Sequence, residues 1–143
     1  MRKTLLTVTA ICMLFIFYSC KKSNSTSSAR TVQNLAGSYN LTALAWTTAG
    51  ISVNVYDSLP DCEKDNILQL NADLTVNFID GVPVCNPNES AQGVWSLTSN
   101  GDSLYIGSSH AYIKSWDGKT LVVTGIVDNG PPVVLGTSTF VKK

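Results

Sequence analysis

From residue 37 onward, apolar side chains recur at every second position. Ile51, Val53 and Val55 alternate with Ser52, Asn54 and Tyr56, and Leu74, Val76 and Phe78 alternate with Thr75, Asn77 and Ile79. Leu104 and Ile106 flank Tyr105, Leu121 and Val123 flank Val122, and Val133 and Leu135 flank Val134. A period of two is the signature of half-buried strands. Thr, Val, Ile, Tyr and Trp dominate these segments, as pleated surfaces prefer. Turn signals separate them: Ala49-Gly50, Leu59-Pro60-Asp61, Asn71-Ala72-Asp73, Asp80-Gly81, Asn100-Gly101, Asp117-Gly118 and Asp128 to Pro132. Asn-Gly and Asp-Gly favour two-residue hairpins because both residues tolerate positive φ. The pattern predicts strands near 38–48, 51–57, 66–71, 74–80, 92–98, 102–107, 111–116, 119–128 and 132–141. Short strands joined by hairpins give an all-β antiparallel meander. Closing it into an up-and-down barrel of about eight strands removes its exposed edges. A flat sandwich is the alternative.

The first residues break this pattern. Met1-Arg2-Lys3 is basic, and Leu5 to Tyr18 is apolar apart from Thr7 and Thr9. That run is shorter than the about 20 residues a bilayer span needs and has secretory-signal proportions. Ser19-Cys20, followed by Lys21-Lys22, resembles a bacterial lipobox, where cleavage leaves a lipid-modified Cys20. The expected organisation is a signal peptide over 1–19, a lipid-anchored tether over 20–34 and a single domain over 35–143. An uncleaved anchor or a soluble exported protein is the alternative. Ser23 to Arg30 is too polar to bury surface, which suits a tether. No acidic residues follow Cys20, which favours the periplasm-facing leaflet of the outer membrane over the cell surface.

Cysteine usage agrees with an exported protein. Cys12 would leave with the signal and Cys20 would take lipid, so Cys62 and Cys85 remain in an oxidising space. A disulfide is the economical reading. Its loop of 22 intervening residues gives roughly 3 kcal/mol by chain entropy. The rival is a metal site, but one histidine and no Cys-x-x-Cys fall short of the four ligands zinc takes. No metal and no cofactor are expected.

Charge narrows the partners. Charged residues make up 14% of the 143-residue chain, against a usual ~25%. Residues 31–141 hold three basic side chains (Lys64, Lys114 and Lys119) and all ten acidic ones, a net charge of −7. Such a body repels phosphate backbones, which argues against nucleic acid.

Catalytic chemistry finds little support. His110 adjoins Ser108 and Ser109, but neighbours along a strand point to opposite faces, so it reads as a surface turn histidine. Asp57, Asp61, Glu63 and Asp65 lack the glycine and distal glutamate of a calcium loop and read as a solvated segment beside Lys64. No nucleophile elbow, phosphate loop or dinucleotide fingerprint is present, and no catalytic residues are expected. Tyr39, Trp46, Trp95, Tyr105, Tyr112 and Trp116 could instead line a ligand cavity or plug a small barrel. With so few cations, a bound ligand would be neutral or cationic, not anionic.

Three stretches together resemble the lipocalin-like domain of small Bacteroidetes lipoproteins. They are Leu35-Ala36-Gly37-Ser38-Tyr39-Asn40-Leu41; Cys62 to Leu68 with Asn71-Ala72-Asp73; and Gly93-Val94-Trp95-Ser96-Leu97 with Asp102 to Ile106. Tyr39 stands where that opening usually has Trp, and the last strand has no Arg to pack across an opening aromatic. The resemblance covers about residues 35 to 141. It implies a lipocalin-like barrel that holds a small apolar molecule. A structural module with a filled barrel, or an inhibitor of an exported enzyme, are the alternatives.

Overall fold

The computed structural model describes residues 28–143, so the expected signal peptide, Cys20 and most of the tether lie outside the described residues. Among the described residues no helix is long and apolar enough to cross a membrane.

Alternation drives nine antiparallel strands: β1 (Gly37–Thr48), β2 (Ile51–Asn54), β3 (Ile67–Leu70), β4 (Thr75–Ile79), β5 (Ala91–Leu97), β6 (Ser103–Ile106), β7 (Ser109–Trp116), β8 (Thr120–Asp128) and β9 (Val134–Lys142). From β3 onward each strand pairs with its successor, and β9 returns to pair with β1 from Tyr39↔Lys142 to Thr48↔Val134. That last ladder closes the sheet and rules out the open sandwich. Eight strands form the barrel. The ninth, β2, pairs only with the far half of β1, at Ala45 to Thr48. Bulges at Leu41/Ala43, Ile113/Ser115 and Ile126/Asp128 kink the long strands, as closure of a small barrel requires.

The strands follow the predicted segments closely, with two informative exceptions. The 51–57 segment stops at Asn54, whose side chain bonds Asp57 at 2.8 Å and turns the chain into a short 3-10 turn at Tyr56–Ser58. It is followed by α2 (Asp61–Lys64). In addition, β7 begins at Ser109, because Gly107 (φ 57°) makes a tight turn that pairs Ile106 with Ser109. His110 therefore sits in a strand, not in a turn.

One end of the barrel is shut. A short helix, α1 (Val32–Leu35), is capped by Thr31, whose side chain accepts from the Asn34 amide. It lies beneath a cluster in which Leu35, Tyr39, Val76 and Leu121 are wholly inaccessible and Leu70, Trp95 and Trp116 nearly so. The Tyr39 hydroxyl donates to the Leu35 carbonyl at 2.6 Å. The Trp95 indole donates to Asn71 O at 2.8 Å. Burial pushes the Tyr39 phenol up to about 12. Arg30, expected in the tether, pairs with Asp102 at 3.0 Å in the β5–β6 turn. Thus the packed unit begins before residue 35.

The last strand does supply a cation, though not an arginine. Lys142 places its ammonium 5.9 Å from the Tyr39 ring centre and 5.7 Å from that of Trp116, and donates to Asn34 O at 2.9 Å. Lysine thus bridges the opening aromatic, a second aromatic and the closing helix.

Candidate ligand cavity

Above this plug the barrel is hollow. The cavity arises from side-chain size. Ala111 on β7, Gly125 on β8 and Gly136 on β9 lie side by side in one cross-strand row. Ser109 and Ser138 add further short side chains on the same wall. A methyl group at Gly125 would come within 2.9 Å of the His110 carbonyl, and one at Gly136 within 2.6 Å of Val127. These strand glycines are therefore fixed by close approach as well as by the space they leave. Leu44, Leu68, Phe78, Leu104, Ile106 and Phe140 form the rest of the wall, with Val123 below and Ile126 and Val127 toward the rim. The volume is about 260 Å³.

The lining is mostly apolar. No Lys, Arg, Asp or Glu reaches it, and its polar residues are Ser109, His110 and Ser138. Leu68, Phe78 and Phe140 also border a second recess of about 210 Å³, which Glu63, Asp80 and Glu89 line under the 80–90 loop. The Asp80 carboxylate is already occupied, accepting from the amides of Cys85 and Glu89.

The six aromatics singled out in the sequence do not line the 260 Å³ cavity. Tyr39, Trp95 and Trp116 form the plug below it. Tyr105 and Tyr112 point outward and enclose His110, whose ring stacks on Tyr105 at 4.7 Å and meets the edge of Tyr112 at 4.6 Å. Trp46 stands at the rim, 43% exposed. Large aromatics fill space, and three of the six do so in the closed half. The hollow belongs to the small residues, and Gly125 and Gly136 inside predicted strands were the available signal.

Cys62 and Cys85 form a disulfide with Cα atoms 5.2 Å apart, pinning α2 to the long 80–90 loop beside the recess. Among the described residues no group of three His, Cys, Asp or Glu is placed to hold a metal ion. His110 is flanked by tyrosine rings, not by a nucleophile and a carboxylate.

No family model matches the chain, and no curated protein matches it. Among solved structures it is similar to a bovine odorant binding protein in complex with a selenium-containing odorant. That likeness has a TM-score of 0.46 and 18% identity, over 81% of this chain and 74% of the other. The barrel assignment stands on the strand register, not on this likeness.

Proposed function

We propose that the barrel holds a small, apolar, non-anionic molecule, in a protein tethered to the periplasmic face of the outer membrane through a lipid on Cys20. The observation that carries the reading is the charge-free cavity of about 260 Å³, floored by the plug and opening at the apolar rim. An engineered apolar cavity of about 150 Å³ holds benzene, which scales to a guest of about ten heavy atoms here. An anionic headgroup would lose its hydration without gaining a counter-charge, and Glu63 and Glu89 border the neighbouring recess. A neutral guest needs no partner, and a cationic one would have these carboxylates in reach. The lipobox-like Ser19-Cys20 and the polar run after it support the tether.

Three probes of one shape test this: naphthalene, 2-naphthylmethylamine and 2-naphthoate. Each is titrated into residues 28–143 while amide shifts are followed at Ser109, Gly125, Gly136 and Ser138. Naphthalene and the amine saturate, naphthoate does not, and Ser138→Leu abolishes the response. Equal binding of naphthoate, or no saturable shift with any probe, defeats the reading.

One observation favours a second role as a protein-interaction module. Trp46, Ile51, Val53, Ile126, Val133 and Leu135 are all exposed around the mouth. Contiguous apolar surface of this kind marks contact sites in soluble proteins.

A further inference from the structure

We infer that the closed end of the barrel docks on an anionic phospholipid surface, so that the mouth points away from the membrane. This rests on the tethered reading above and adds an orientation to it.

The chain emerges at the closed end. Ser28 packs against the β7–β8 turn, its hydroxyl 2.9 Å from where a Gly118 methyl would stand, and Arg30 is tied to the β5–β6 turn through Asp102. The basic side chains gather at the same end. The Lys142 amide bonds Lys119 O, and the Lys143 amide bonds Ser38 O. Arg30, Lys119, Lys142 and Lys143 thus lie here, against Asp73, Asp102 and Asp117. The other seven carboxylates sit on the 55–66 and 80–90 loops and at Asp128, with only Lys64 and Lys114 to offset them. Four basic side chains against three acidic ones at one end, and two against seven over the rest, give the barrel a polarity of side-chain charge along its axis. Lys119 and Lys143 are exposed, and their ammonium groups join no hydrogen bond or ion pair among the described residues.

Chain length favours the same orientation. Cys20 lies eight residues before Ser28, a reach of at most about 28 Å. The 12 residues of β1 span about 40 Å, which barrel tilt shortens to about 30 Å along the axis. Laying the mouth on the anchoring leaflet would need the tether near full extension. Laying the closed end there leaves it slack.

The test uses residues 20–143, in which Cys20 is the single free thiol once Cys62 and Cys85 are bonded. Cys20 is coupled to a maleimide phospholipid in vesicles of phosphatidylcholine, with or without phosphatidylglycerol. Amide hydrogen exchange is compared at Gly101 and Lys119, in closed-end turns, and at Gly50, in the mouth turn. Anionic vesicles slow the closed-end amides by about fivefold for each lysine in contact, and high salt reverses this. Gly50 is unchanged. The exposed pair Lys119→Ser/Lys143→Ser removes the slowing. Equal exchange on both vesicle types, protection at Gly50, or protection that survives the double substitution overturns the inference. Because the lipid is supplied chemically, such a failure leaves natural lipidation and ligand binding to their own tests.

Discussion

Tyr39 offers a sharp test of how the closed end is held. Its hydroxyl donates to the Leu35 carbonyl at 2.6 Å, in a site with no solvent access. Tyr39→Phe keeps the ring and removes that donor, leaving a buried carbonyl unpaired, at a cost of about 1–2 kcal/mol at neutral pH. Alkali reverses the ranking. Burial pushes the phenol from its ordinary 10.0 up to about 12. Below pH 10 the tyrosine is protonated in both folded and unfolded chains, so its titration leaves stability unchanged. Between pH 10 and 12 the unfolded chain releases the proton and the folded one retains it, so stability falls as pH rises. At up to 1.36 kcal/mol per pH unit, the loss reaches about 2 kcal/mol by pH 12, where the folded phenol is itself half ionised. Phenylalanine has no such term. Urea unfolding followed by tryptophan fluorescence, repeated from pH 7 to 12, therefore shows the wild type more stable at neutral pH and Tyr39→Phe more stable at the alkaline limit. Parallel stability curves would show that the phenol is not buried as described, and a variant as stable as wild type at pH 7 would show that its hydrogen bond contributes nothing.

Leu74 adopts φ 69°, a left-handed conformation that costs a non-glycine residue about 1–2 kcal/mol, while its side chain is 41% exposed. Leu74→Gly removes that strain at the cost of a freer unfolded chain, so a net gain of about 0.5–1 kcal/mol is expected in chemical denaturation. A loss would mean that the leucine side chain packs more than it strains. Lys142→Met keeps the alkyl stem but loses two ring contacts and the bond to Asn34 O, and is expected to cost about 1–2 kcal/mol. Hydrogen exchange at Leu35 and Ala36, whose amides bond Thr31 O and Val32 O, should quicken with it, and unchanged exchange there would detach the lysine from the helix. Replacing both Cys62 and Cys85 by serine frees a loop of 22 residues and is expected to cost roughly 3 kcal/mol. An unchanged urea midpoint would place the bond outside the cooperative unit.

The barrel was legible because period-two alternation is a one-dimensional signal. Each inward position, such as Leu68, Leu70, Val76, Leu104 and Leu121, can be read off the chain without knowing its neighbours. Turn chemistry then fixed the hairpins, as Asn100-Gly101 and Asp117-Gly118 do at the closed end. Strand limits failed where a local side-chain bond competed with the ladder, as with Asn54 and Asp57, or where one glycine tightened a turn, as at Gly107. The cavity was not legible in the same way. It depends on Ala111, Gly125 and Gly136 falling in one cross-strand row, and that register couples residues up to 25 positions apart. Lys142 escaped notice for a similar reason. A cation near the chain end is unremarkable in sequence, and only closure of β9 on β1 brings it over Tyr39 and Trp116.

The two sequence-level alternatives, a filled barrel and a hollow one, describe two halves of one molecule. Tyr39, Trp95 and Trp116 occupy the lower half and leave no room for a guest. The row of small residues on β7 to β9 does the opposite in the upper half. This division has a mechanical consequence. A guest displaced upward meets the rim, where Ile126 and Val127 both line the cavity and stand exposed, so the exit path stays apolar to the surface. A guest pressed downward meets a floor fixed by the Tyr39–Leu35 bond, the Trp95–Asn71 bond and the Lys142 bridge. Destabilising the floor should therefore weaken binding only by unfolding the barrel, whereas changes at Ile126 or Val127 should alter entry and release with little effect on stability.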